Sequence, residues 1–221
     1  MTTEPTDVTS KLLAAAIEVF GETGFVSARV DEIARRAGVN KALLYYYFGS
    51  KDALYAAVIS GVADQALAVL DRNLTPKLSP EDRVRAFANS IAEVARKNPS
   101  FPPLMLREIA SGGAGLPDPV LARIAGVFGH MASILDDGAR KKRFRRVDPV
   151  VTHMLFAGGL FVLLAASPIR KRLRNLFVPD SPASREPPPE ELPGLVADLI
   201  LNGVSRSTTH KRSRKKQGRV S

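Results

Sequence analysis

Residues 30–54 read VDEIARRAGVNKALLYYYFGSKDAL, and the pattern writes two short helices separated by a turn. Val30, Ile33, Ala34 and Ala37 recur with helical spacing, and Gly38 follows where a left-handed residue would end the helix. Gly38-Val39-Asn40 makes the turn, and a second helix of similar length runs to Phe48-Gly49. Three of the chain's four tyrosines, Tyr45, Tyr46 and Tyr47, stand side by side in it. Successive helical residues turn by about 100°, so the three cannot all be buried. The unit has the form of a helix-turn-helix, whose second helix can lie in the major groove of DNA.

With Leu44 at the origin of a helical wheel, Phe48 falls about 40° away, and these two form the buried edge that meets Ile33 and Ala37. Tyr46 and Ala42 point outward, where side chains can reach base edges. Tyr45 and Lys41 flank the buried edge on one side, Tyr47 and Leu43 on the other; a hydroxyl on a rigid ring there can reach a phosphate. Lys51 adds a charge beside the free N–H groups of the next helix, and Arg29 stands correspondingly before the preceding one. The competing reading packs the tyrosines against the rest of the chain, hydroxyls at the surface.

With 221 residues, 45% of them hydrophobic, the chain can build one sizeable core or attach a small unit to a larger one. It has no cysteine, which excludes disulfides, thiolate metal sites and a cysteine nucleophile. The opening MTTEPTDVTS lacks a basic region followed by an apolar stretch, so a cytoplasmic protein is expected. The net charge of +10 suggests an acidic partner, but residues 206–221 alone hold seven basic and no acidic residues, leaving +3 for everything before them. That tail is expected to be disordered, either a solubilising end or a non-specific nucleic-acid arm. MLFAGGLFVLLAA, residues 154–166, falls short of the about 20 apolar residues that span a bilayer. It reads as a helix hydrophobic all round, buried in a core or a subunit interface, and no membrane partner is expected.

Strand alternation is nowhere convincing and nearly every apolar pattern has helical spacing, so the fold class is all-α. Leu13, Ala16, Ile17 and Phe20 begin a first helix expected to end near Gly21 and Gly24. Ser50 can cap a connecting helix that Leu54, Val58, Val62, Ala66 and Val69 carry to about Arg72. Ser79-Pro80-Glu81-Asp82 starts a helix ending at Asn98-Pro99. Others are expected around Pro103 to Ala110, around Val120 to Leu135, from Asp148-Pro149 through the apolar stretch, and around Leu195 to Ile200 after the proline-rich VPDSPASREPPPEELPG. The expectation is a three-helix head joined by a connecting helix to a larger helical body, about nine helices in all.

The run from Leu12 to Leu54, LLAAAIEVFGETGF and then VDEIARRAGVNKALLYYYFGSKDAL, resembles the DNA-binding head of the TetR-like transcriptional regulators. Their pattern of helix, G-F, I-A-x-x-A-G-V, L-Y-x-x-F and S-K-x-x-L is met in order and spacing over the first quarter of the chain. The resemblance implies a homodimer that reads an inverted repeat in double-stranded DNA, usually as a repressor released by a small-molecule effector. It implies a DNA-binding head at 1–50 and an effector-binding and dimerisation body at 51–205, with the basic tail at 206–221 left over. Tyr45 and Lys51 would hold phosphates, while Lys41, Ala42, Leu43 and Tyr46 would face bases. Tyr47 stands where histidine is common, and Leu43 where threonine is frequent, which substitutes an apolar contact for a hydrogen bond. Arg29 stands where threonine is usual, so a phosphate salt link would replace the family's capping contact.

In such regulators the last two helices pack against those of the partner, which places Gly158, Gly159, Phe161, Val162, Leu195 and Leu199 at a dimer interface. The alternative is a glycine pair buried within one subunit. A pocket for a largely apolar effector is expected among Phe87, Ile91, Met105, Met131 and Phe156, with Arg107, Glu108, His130 and His153 as polar anchors. Three scattered histidines make no metal spacing, and SGGAG at 111–115 lacks the strand and lysine of a P-loop, so neither metal, cofactor nor enzymatic activity is expected. The rival function is an architectural protein that coats DNA through its tail.

Overall fold

The computed structural model describes residues 5–113, 115–177 and 186–205, and among them the chain is helical with no strand. Three N-terminal helices, α1 (Pro5–Ser27), α2 (Val30–Ala37) and α3 (Lys41–Phe48), are followed by the long α4 (Lys51–Asn73). The rest comprises α5 (Pro80–Lys97), α6 (Phe101–Ala110), α7 (Asp118–Arg140), α8 (Pro149–Ala165), α9 (Ser167–Phe177) and α10 (Leu192–Val204). Against the about nine helices expected, ten are described; α9 is the addition.

The boundaries follow local chemistry. Gly38 takes φ 66°, ψ 31°, and the Val39 N–H returns to the Ala34 carbonyl at 3.0 Å, closing α2 as expected. Asn40 caps α3 by accepting the Ala42 N–H at 2.9 Å, and Ser50 caps α4 by accepting the Ala53 N–H at 3.0 Å. Ser79 with Pro80 starts α5, and Asp148 with Pro149 starts α8. The first helix runs past Gly21 and breaks at Gly24, φ 78°, ψ 167°, one of the two expected ends, and a further short turn carries the chain to Ser27. Gly21 is needed for another reason, since a Cβ there would stand 2.6 Å from the Ser100 carbonyl oxygen just before α6.

One hydrophobic core runs from Leu12 and Phe20 of α1 through Ile33, Leu44 and Ile59 to Phe87, Met131, Phe156 and Ala197. Helix α5 lies against α4, α7 and α10, and α8 against α6, α7 and α10. The apolar stretch at 154–166 lies almost wholly within α8, and within this chain it is not buried all round: Thr152, His153, Phe156, Leu160 and Phe161 face inward, whereas Val151, Leu155 and Val162 are exposed. By length and composition α4 could cross a membrane, but half of its apolar stretch is buried inside the protein; α8 and α9 together also qualify but are bent by 78°. Arg170 and Arg174 of α9 donate to the Glu186 carboxylate at 3.0 and 2.9 Å, fastening the second half of the connector onto that helix. Residues 178–185 of the connector and the basic tail 206–221 lie outside the described residues.

Candidate functional site

Leu44, wholly buried, locks α3 against α2 and α4. Its neighbours fan outward: Tyr46 is 80% exposed, Tyr45 and Leu43 are exposed, and so are Lys41 and Ala42. Tyr47 is half-buried, its ring 5.2 Å from that of Tyr46 in an edge-on contact, and it packs on the core as Phe48 does. An exposed ridge of alternating ring, methyl and hydroxyl groups on a helix this short can enter a groove and touch both base edges and phosphates.

Two of the three cations beside the ridge, Lys41 and Lys51, are already engaged. Lys41 Nζ lies 2.9 Å from Asp31 on α2, which raises the lysine's pKa and lowers that of the carboxyl. Lys51 donates to the Val26 carbonyl at 3.2 Å and sits 4.7 Å above the Phe25 ring, tying the start of α4 to the end of α1. Arg29 is exposed at the N-cap of α2 and makes no side-chain cap bond. Behind the ridge, Arg36 joins Glu22 of α1 at 2.7 Å and Glu32 at 2.8 Å, while Arg35 also holds Glu32. The Arg35 and Arg36 hydrogen bonds bring the Glu32 carboxyl down to about 2.

A second feature lies among α4 to α8, a cavity of about 390 Å³. Ile91, Met105, Glu108 and His153 line it, as the sequence suggested, together with Phe128 and Phe161. The other candidates do not reach it. Phe87, Met131 and Phe156 are fully buried in the core behind the wall, because one helical turn separates a cavity-facing position from a core-facing one. Arg107 is exposed and donates to the Glu22 carbonyl at 3.0 Å, and His130 lies 3.2 Å from Asp71 of α4. His153 stacks on Phe128, ring centroids 3.7 Å apart, and burial lowers its pKa to about 4.

Two groups were overlooked. The Tyr55 hydroxyl, buried in α4, donates to Glu108 Oε1 of α6, and burial followed by this bond raises the phenol's pKa. A tyrosine on the apolar face of a helix needs a buried partner, which was a usable signal. The Asn40 cap was the other, legible as an asparagine one residue before the helix.

The third feature is an apolar surface. Val151 and Leu155 of α8 and Leu199 of α10 line one shallow groove and are each exposed, Leu199 by 73%; Val162 and Leu195 are exposed too. Gly158 and Gly159 are not a tightly packed pair, for a Cβ on either would meet nothing within 4 Å, and Gly158 lines the cavity rather than this surface. Phe161 turns the other way, against Phe101 at 6.1 Å and into the cavity wall, so it is not part of this surface.

The family model described as bacterial regulatory proteins, tetR family, matches residues 12–58. The chain is 30% identical over 147 residues to the HTH-type transcriptional repressor NicS of Pseudomonas putida, spanning 64% of this chain and 68% of that protein. It is 29% identical over 145 residues to the HTH-type transcriptional regulator RutR of Escherichia coli strain K12, spanning 66% and 67%. Its fold matches that of the TetR family transcriptional regulator PfmR from Thermus thermophilus with a TM-score of 0.62 at 25% identity, over 88% of this chain and 99% of that one. The fatty acid degradation regulator FadR from Bacillus halodurans shares the fold at a TM-score of 0.71 and 17% identity, over 92% and 98%. With a head of this sequence and geometry on an all-helical body, the chain belongs to the tetR family and is a DNA-binding transcriptional regulator.

Proposed function

We propose that the protein is a homodimeric repressor that holds an inverted repeat with residues 1–50 and releases it when a largely apolar small molecule enters residues 51–205. The exposure of the α3 ridge around Tyr46, on a helix locked by Leu44, carries the reading. Tyr46, Leu43 and Ala42 face bases, Tyr45 and Arg29 reach phosphates, and Lys41 does so by giving up Asp31. Lys51, held on Phe25 and Val26, orients the start of α4 and contacts a phosphate only if that tie loosens. Two copies join through the exposed face of α8 and α10, with Gly159 admitting a close helix approach and Val162, Leu195 and Leu199 supplying apolar area.

Helix α4 is the transmission. Its Val62, Ala63 and Ala66 form one wall of the cavity, and its other end carries Ser50 and the α3 junction. Recognition helices must lie about 34 Å apart to enter successive major grooves. A ligand that tilts α4 alters that separation, and about 1 to 3 kcal/mol of differential binding weakens DNA affinity about 5- to 150-fold.

Selection from randomised duplexes at stated salt tests the reading. An inverted repeat with half-sites one helical turn apart is expected, and Tyr46→Ala should lose about 5- to 150-fold in affinity for it, the loss of about 1 to 3 kcal/mol of base readout. Recovery of no preferred sequence, or a full-affinity Tyr46→Ala, would sink it. Loss of all binding on deletion of 206–221 would favour instead the architectural protein that coats DNA through its tail.

A further inference from the structure

Four buried side-chain nitrogen or oxygen atoms have no hydrogen-bond partner among the described residues, and two of them, Glu108 Oε2 and His153 Nδ1, belong to residues lining the cavity. Glu108 is only 7% exposed. Its Oε1 takes the Tyr55 hydroxyl hydrogen, which fixes the carboxyl, and its Oε2 lies 3.7 Å from where a Cβ of Gly115 would stand, in the loop between α6 and α7. A buried acceptor without a partner costs free energy until a donor reaches it.

The rest of the lining selects the donor's companion atoms. No arginine or lysine is among the lining residues, whose titratable members are Glu108 and His153, and burial holds His153 neutral near pH 7. Ile91, Met105, Phe128 and Phe161 make the wall apolar. A carboxylate or phosphate entering such a space would meet Glu108 with no cation to offset it, in a medium where like charges repel strongly. A wholly apolar molecule would leave Oε2 unmatched.

We propose that the cavity's ligand is an amphiphilic amine, its apolar body against Ile91, Met105, Phe128 and Phe161 and its N–H group donating to Glu108 Oε2. This rests on the reading of the cavity as the effector site. The same geometry explains how occupancy reaches the head: an ammonium on Oε2 shares the Glu108 carboxylate with the Tyr55 hydroxyl on Oε1, so a shift of the carboxyl toward the ligand is felt by Tyr55. Tyr55 packs edge-on against Phe20 at 4.9 Å and on Phe25 at 4.8 Å, and Phe25 carries Lys51.

The test is calorimetric titration of the full chain with decylamine, decanol and decanoate below their aggregation concentrations, near neutral pH. Decylamine should bind at least about tenfold more tightly than decanol, with decanoate weakest, as a hydrogen bond to a charged group requires. Glu108→Gln should remove the amine's advantage and leave decanol binding in place. Met105→Trp, which fills the cavity, should abolish all three. Decanoate binding as tightly as decylamine, or an amine advantage that survives Glu108→Gln, overturns the proposal and leaves the effector site standing. Binding of none of the three to folded protein removes both. Should Glu108→Gln fail to fold, the ranking of the three probes on the unaltered chain decides alone.

Discussion

Replacing His153 by phenylalanine should flatten the protein's stability between neutral and mildly acidic pH. The ring is held between Phe128, stacked at 3.7 Å, and Phe87, edge-on at 5.8 Å, and burial lowers its pKa from the ordinary 6.5 to about 4. The folded state thus disfavours the imidazolium, while the unfolded chain takes up a proton below about pH 6.5. Stability from this residue is complete above that pH and falls as the pH drops, until the folded ring itself protonates near 4. Each pH unit in that window removes about 1.4 kcal/mol, so moving from about pH 7.5 to about pH 5 should cost about 2 kcal/mol, and the whole window about 3. Phenylalanine has a similar ring, does not titrate, and gives up a Nδ1 that has no hydrogen-bond partner. Urea unfolding followed by circular dichroism, both proteins at both pH values and equal concentration, isolates the residue as the difference between the two losses. Parallel losses in the two proteins would refute the burial argument.

Three further outcomes follow from the packing. Gly138→Ala places a Cβ 2.1 Å from the ring of the fully buried Phe144, so the helix-propensity gain of about 1 kcal/mol is outweighed and urea unfolding should show a net loss of about 1 to 3 kcal/mol. Glu32→Gln should blunt acid destabilisation between about pH 4.5 and about 2: the folded carboxyl is depressed, so its contribution is present above the unfolded pKa and lost on descent through that range, as a pH series of melting temperatures would show. Leu155→Glu combined with Leu199→Glu alters only exposed side chains and should leave the far-ultraviolet spectrum unchanged while sedimentation velocity shows a monomer; a persisting dimer would move the interface elsewhere.

The recognition unit was legible because its signals are local. A glycine able to take a positive φ at 38, a cap at Ser50, and apolar residues at helical spacing each act within one turn. Helix α9 was missed for the converse reason: it departs from α8 at 78° after a single residue, and it is fastened to Glu186, which lies in the connector that follows it. The cavity was half legible. Periodicity marks Phe87 and Ile91 alike as inward-facing, and only the placement of α6 and α8 decides that Ile91 meets space and Phe87 meets Phe156. Arg107 and Glu108 differ by about 100° around α6, which sends one to α1 and the other into the cavity. The apolar stretch in α8 gave hydrophobicity without direction, so Phe161 could not be told from Val162.

The contact of Gly21 with Ser100, seconded by Arg107 on the Glu22 carbonyl, bears on any attempt to exchange recognition units between regulators. A hybrid cut at the α3–α4 junction would put a foreign first helix against this α6, and any side chain at position 21 would collide with the Ser100 backbone. A working graft needs its seam inside α4 and must transplant Ser100, Arg107 and Tyr55 along with the first three helices. Compatibility between donor and recipient is therefore decided by the glycine on one side and the α6 entrance on the other, before any base is read.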